Sequence, residues 1–273
     1  MIPKIIHYTW FSGEPIPKHL QELMDTWKKV LPDYEFMFWD TQKLSEIDNI
    51  FVKEALSVKK WAFAADVVRC YAVYTYGGIY LDSDVEMIHS FDTLLQNRMF
   101  IGTECALYDG PKKRYLTSHC FGAEKGHPFL KDCLDYYNNR HFIGSLHPEL
   151  PEDLQFDMTI LPKIQARIAT VKYGYNDNGF VDRVQFLKEG MIVYPSYCFD
   201  YPRWNSINKV FCIHRHQCSW SVNGNGNNRP DYTSTSPRKF NFEKIIFLGF
   251  EGINKFLGKY LHLQLTKTGK LRW

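Results

Sequence analysis

The 273-residue chain carries 33 Lys and Arg against 30 Asp and Glu, a net charge of +3, with 45% hydrophobic and 16% aromatic residues. This is ample material for the core of one large α/β domain, with or without a small appendage, so a folded, soluble-type protein is expected. Seven cysteines with no C-x2-C pair argue against a disulfide framework, no run approaches a signal or membrane span, and no RNA or DNA module motif accompanies the positive charge.

In chain order, Ile5 to Thr9 reads as a strand. Pro17 to Val30 has helical apolar spacing at Leu20, Leu23, Met24 and Trp27, and Tyr34 to Trp39 reads as a second strand. From Trp61 the sequence WAFAADVVRCYAVYTY is helical, with Asp66 and Arg69 three residues apart and so neighbours on one face. Gly77-Gly78 ends that helix, and Ile79-Tyr80-Leu81 reads as a buried strand running into Asp82-Ser83-Asp84. Strand alternation predicts that Asp82 and Asp84 point to the same side.

Two carboxylates in one small volume repel unless a cation or a proton compensates. A D-x-D at the carboxyl end of a core strand therefore suggests a hard divalent metal held by oxygen, Mn²⁺ or Mg²⁺, able to bridge nucleotide phosphates. The strand, helix, strand repetition predicts a parallel sheet with helical crossovers, whose ligands bind beyond the carboxyl strand ends, where Thr9-Trp10 and Asp82-Asp84 fall.

Further along, residues 99 to 103 read as a strand, Pro128 to Asn138 as a helix, HPELPED at 147–153 as a loop, and Met158 to Val171 as a helix with Pro162 near its start. Val210 to His214 reads as a late strand, and Ser221 to Tyr232, with NGNGNN, as a mobile loop closing the catalytic unit. Residues 238–273 hold eight Lys or Arg against two Glu, leaving −3 for the rest. There Ile246, Phe250, Ile253, Leu257, Tyr260 and Leu261 follow an amphipathic helical spacing that suits either an anionic membrane or packing on the domain. No internal repeat and no G-x-G-x-x-G or Walker-type loop is found.

The segment from Asp66 through Arg69, Gly77, Gly78, Tyr80, Asp82 and Asp84, together with the opening IPKIIHYTWFSGEPIP, resembles the sugar-binding region of glycosyltransferase family 32. The likeness continues through GAEKGHPFL at 122–130 and MIVYPSYCFDYP at 191–202 to the H-x5-W of His214 and Trp220, and so covers about residues 1 to 220. It implies the glycosyltransferase A fold, a single Rossmann-like nucleotide-binding domain over 1–235 followed by a basic amphipathic tail over 236–273. It implies a retaining, metal-dependent transferase that takes a sugar from a nucleoside-diphosphate sugar, a UDP-sugar favoured. Asp82, Asp84 and His214 are the implied metal ligands, with His216 the alternative to His214. Asp66, Arg69 and Asp84 are the implied catalytic set. Tyr8, Trp10, Asp66, Arg69, Tyr80, Asp82, Ser118, Ser219 and Trp220 are the expected donor contacts. Two positions depart from the family: Ala65 stands where a Ser usually precedes the helical Asp, and Ser118-His119 where an Asn is common.

The expected acceptor is a hydroxyl of a glycan or lipid-linked oligosaccharide in bacterial capsule, lipopolysaccharide or exopolysaccharide synthesis. The expected setting is cytoplasmic, at the inner face of the membrane, with no nucleic acid involved. Two alternatives have their own markers. A non-catalytic carbohydrate-binding protein would lack an aspartate or Arg69, and a toxin-like protein glycosyltransferase would carry large targeting regions; this chain has all three residues and no such regions.

Overall fold

The computed structural model describes residues 1–105, 112–203, 206–215, 264–265 and 271–272. Strand β1 (Ile5–Thr9), helix α1 (Lys18–Val30) and strand β2 (Glu35–Trp39) form the first crossover, with β1 and β2 parallel from Ile5↔Glu35 to Thr9↔Trp39. Helices α2 (Ile50–Ser57) and α3 (Trp61–Tyr76) then lead into β3 (Gly78–Leu81), which lies parallel to β1 on its other side. A short strand β4 (Val85–Met87) precedes β5 (Met99–Thr103) and β6 (Leu116–Ala123). Helices α4 (Pro128–Tyr136), α5 (Glu152–Gln155) and α6 (Leu161–Ile168) follow, then β7 (Gln185–Phe186), β8 (Met191–Tyr194) and β9 (Cys212–His214).

The main sheet has the order β2-β1-β3-β6-β5-β8-β7. β1, β2, β3, β5 and β8 run one way, while β6 and β7 run against their neighbours. This is the α/β domain around a mostly parallel sheet that the sequence predicts. β4 and β9 form a separate antiparallel ribbon, Val85 opposite His214.

Apolar side chains on the two faces of the sheet build two cores. On one face Phe63, Val67 and Val68 of α3 pack with Tyr80, Phe121 and Leu161. On the other, Trp27 of α1 and Leu31 just beyond its end pack with Ile79, Leu81, Phe100 and Phe199. β3 is buried throughout, because Ile79 and Leu81 serve one core and Tyr80 the other. The Trp27 indole donates to the Val85 carbonyl at 2.7 Å and so ties α1 to the ribbon.

The α3 to β3 turn is tight enough to require glycine. Gly77 and Gly78 have φ of +70° and +105°, and a Cβ on Gly78 would stand 2.6 Å from the Ile5 carbonyl oxygen. Nearby, His7 of β1 is fully buried. It donates from Nε2 to the Gly77 carbonyl at 2.7 Å, and its Nδ1 accepts from the Trp39 indole at 3.2 Å, an arrangement only the neutral ring can make. Burial pushes its pKa down to about 4.

The unfolded chain therefore takes up a proton near pH 6.5 that the native state refuses until about 4. Stability from this group is complete above 6.5 and is lost as pH falls through that window, by up to about 3 kcal/mol. An NMR titration should show the His7 ring neutral at pH 5.5; a midpoint near 6.5 would contradict this.

Several expectations differ in detail. The second core helix begins at Leu161 rather than Met158, with Pro162 in its first turn, and ends in a wide π-helical turn over 169–173. The late strand is confined to Cys212–His214. The expected tail helix, the 221–232 loop, and His216, Ser219 and Trp220 lie outside the described residues. Within the tail, Gln264–Leu265 pairs antiparallel with Leu271–Arg272. No helix among the described residues is long and apolar enough to cross a membrane.

Candidate active site

β3 stops at Leu81, so strand alternation is not what brings the two aspartates together. Asp82, Ser83 and Asp84 form a turn closed by the Val85 amide donating to the Asp82 carbonyl at 3.1 Å, and the chain re-enters a strand in β4. Because β4 pairs with β9, the turn delivers Asp84 to His214, whose Nε2 stands 3.4 Å from Asp84 Oδ2. Asp82, Asp84 and His214 each offer one ligand atom, all within 4.8 Å of one another. Two carboxylates and an imidazole at that spacing suit a divalent cation such as Mn²⁺ or Mg²⁺. The electrostatics fit as well: burial opposes a charge on His214, yet the carboxylate of Asp84, with Asp82 and Asp200, outweighs it and raises the imidazole to about 9. A positive charge is wanted at this point, and a bound cation would take the place of that proton.

Asp82 is held from behind. The Tyr80 hydroxyl donates to Asp82 Oδ1 at 2.8 Å and lies 3.0 Å from Thr9 Oγ1. Arg69, 5% exposed, spreads its fork over several partners. Nη1 reaches Asp82 Oδ2 at 3.3 Å and the Ser118 carbonyl at 2.8 Å, Nη2 lies 3.4 Å from Asp66 Oδ1, and Nε donates to the Ala65 carbonyl at 3.2 Å. The guanidinium also sits 4.6 Å over the Tyr80 ring. With its nitrogens engaged by protein acceptors, Arg69 fixes the direction of Asp82, and the fully buried Tyr80 does the same.

Asp66 lies on the α3 face turned to α6. Its Oδ2 accepts from the Leu161 amide at 3.2 Å, at the first turn of that helix, where a negative charge is favoured. Burial pushes its pKa up to about 7, against the pull of Arg69. Around the start of α6, where Ile160 precedes the Leu161 amide, lies a cleft of about 470 Å³ lined by Tyr115, Asp153, Phe156, Asp157, Met158, Thr159, Ile160 and Lys163. Residues 158–160, expected to be helical, run outside α6 and form this wall instead.

The remaining expected residues are spread around this centre. Tyr8 is partly buried, stacked on Phe38 at 5.1 Å and edge-on to Trp27 at 5.8 Å. The Trp10 indole donates to the Glu14 carbonyl at 2.6 Å. Ser118 contributes its carbonyl to Arg69. Sequence reading named His119 only as part of a departure from the family and gave Asp200 no role, although both pack around His214, and it missed the cleft residues. Pairwise spacing carried no signal for them, since β6, the 196–200 turn and β9 come together only in the folded chain.

Two carboxylates and a histidine are thus gathered beyond the carboxyl end of β3, the edge at which open α/β sheets bind their ligands. Residues 17–101 match the model of a glycosyltransferase sugar-binding region containing the DXD motif. The chain is 33% identical over 133 residues to inositol phosphoceramide mannosyltransferase 3 of Schizosaccharomyces pombe, covering 47% of this chain and 35% of that protein. It is 28% identical over 154 residues to a mannosyl phosphorylinositol ceramide synthase of Saccharomyces cerevisiae, covering 52% and 37%. The chain thus spans between about a third and a half of the length of these relatives. Among solved structures, it overlaps the PaToxG glycosyltransferase with a TM-score of 0.43 and 18% identity, over 62% of this chain and 69% of that one.

Proposed function

We propose that this chain is a glycosyltransferase that moves a sugar from a nucleoside diphosphate to an acceptor hydroxyl with the help of a divalent cation. The observation that carries this reading is the convergence of Asp82, Asp84 and His214 beyond the end of β3, next to Asp66 and Arg69, with both aspartates inside the segment that matches the DXD sugar-binding model. A Mn²⁺ or Mg²⁺ ion held there would supply positive charge to the departing diphosphate.

The protein's own groups have separable tasks. Asp82, Asp84 and His214 would hold the cation, while Tyr80 and Arg69 keep Asp82 in place. Asp66, with lone pairs left beside Leu161 and Arg69, would accept hydrogen bonds from sugar hydroxyls. Tyr8 and Trp10, at the end of β1, border the same edge and would flank the base or ribose. The cleft around the start of α6 offers the acceptor room. We assign retention of configuration by front-face attack, in which the departing phosphate oxygen takes the acceptor's proton. Ser219, Trp220 and His216 keep their proposed donor and ligand roles from sequence alone, as does the basic tail its contact with anionic lipid. The acceptor we favour is a lipid-linked glycan at the cytoplasmic face of a bacterial membrane.

The names of the yeast relatives make mannose the first sugar to try, beside UDP-hexoses. A panel of UDP- and GDP-sugars should reveal one donor whose hydrolysis stops on exhaustive chelation and returns with Mn²⁺. Hydrolysis that survives chelation, or none with any donor, would overturn the reading.

A further inference from the structure

Asp200 is 1% exposed and sits in the turn after β8, on the far side of His214 from Asp84. Its Oδ1 lies 3.8 Å from His214 Nδ1, its Oδ2 accepts from the Cys105 amide at 2.6 Å, and its carbonyl accepts from the His214 amide at 3.0 Å. The histidine is thus bonded to Asp200 through its backbone, while its ring faces the Asp200 carboxylate at 3.8 Å, an electrostatic contact longer than a hydrogen bond. Its two ring nitrogens face two different carboxylates, Nδ1 toward Asp200 and Nε2 toward Asp84.

His119 completes the arrangement. Its ring is stacked on that of His214, with centroids 3.9 Å apart and planes 23° apart, and its own Nε2 donates to the Phe199 carbonyl at 3.0 Å. His119, Asp200 and His214 also bring ligand atoms within 4.8 Å of one another, which raises the alternative of a second cation in that group. Stacking argues against it. A cation must lie near the plane of each imidazole that ligates it, and nearly parallel rings 3.9 Å apart have no common in-plane position. His119 is then a wall against which the His214 ring cannot turn.

We propose that Asp200 is a positioning residue for the cation site: it holds the proton of His214 on Nδ1 and so presents the Nε2 lone pair to the cation shared with Asp82 and Asp84. A carboxylate behind a ligating histidine fixes the ring's tautomer and orientation and raises its basicity. Here the fixing group comes from a segment 14 residues before the histidine. The inference rests on the cation reading of Asp82, Asp84 and His214.

The test is Mn²⁺ binding by electron paramagnetic resonance, without donor, on the full chain. Asp200→Ala should weaken Mn²⁺ on the order of 10–100-fold, as loss of such a partner does elsewhere. Asp200→Asn, which keeps an acceptor oxygen but not the charge, should fall between it and the wild type. In a His214→Ala background the Asp200→Ala change should become nearly silent, a coupling that a merely structural residue would not show. Thermal unfolding without metal identifies a variant that does not fold, in which case the Asn variant decides. Wild-type affinity in the folded Asp200 variants, or an equal loss in both backgrounds, overturns this inference alone. Failure of the wild type to bind Mn²⁺ in an Asp84-dependent way overturns both this inference and the cation reading beneath it.

Discussion

Replacing Asp84 with Asn should lower sugar transfer on the order of 10²–10³-fold, while the protein stays folded. The change keeps the side chain's shape and removes only its charge. That charge faces His214 at 3.4 Å, and the backbone carbonyl of the same residue still accepts from the Arg215 amide at 3.0 Å, so the β4–β9 ribbon keeps its register. Asp82→Asn should have the same sign. On the proposed mechanism the loss should appear chiefly in kcat, because the charge that matters there would develop on the leaving diphosphate in the transition state. Steady-state kinetics beside a denaturation curve check the prediction. Unchanged turnover in both variants would remove the cation from the account.

Arg69→Ala should be the most damaging substitution to the fold at this site. It strips Asp66 and Asp82 of their shared counter-charge and leaves the Ser118 and Ala65 carbonyls without this donor. Breaking a buried pair by removing one partner costs about 3–5 kcal/mol. Asp66, already pushed up to about 7, can relieve part of this by taking a proton, so the lower end of that range is expected. Arg69→Lys should recover little, because one ammonium cannot span two carboxylates and two carbonyls. Urea unfolding measures the effect. A variant as stable as the wild type but inactive would mean that Arg69 meets the donor directly instead of holding Asp82.

The legible part of the sequence was the part with strong local signals. Helix α3, the Gly77-Gly78 break and the aspartate pair could be read from one continuous segment, because caps, glycines and a wholly apolar strand each leave a mark. The reason given for the convergence of Asp82 and Asp84 did not hold: a turn and a paired ribbon bring them together where strand alternation was expected. Strand β6, LTSHCFGA, was not recognised as a strand because both its faces are buried, which erases the alternation that marks a half-exposed strand. α2 was too short, and β4 and β8 too brief, to stand out from their surroundings. His119 and Asp200 were out of reach for a different reason. Their interest lies in contact with His214 on the separate β4–β9 ribbon, and single-sequence spacing carries no record of that.

The most direct test of the account is a crystal of the protein grown with Mn²⁺ and the nucleoside diphosphate of the preferred donor, measured at the manganese absorption edge. The account predicts one anomalous peak between Asp82, Asp84 and His214, with diphosphate oxygens on its open side and the base toward Tyr8 and Trp10. A peak at another place, or a nucleotide bound away from the carboxyl ends of β1 and β3, would contradict it.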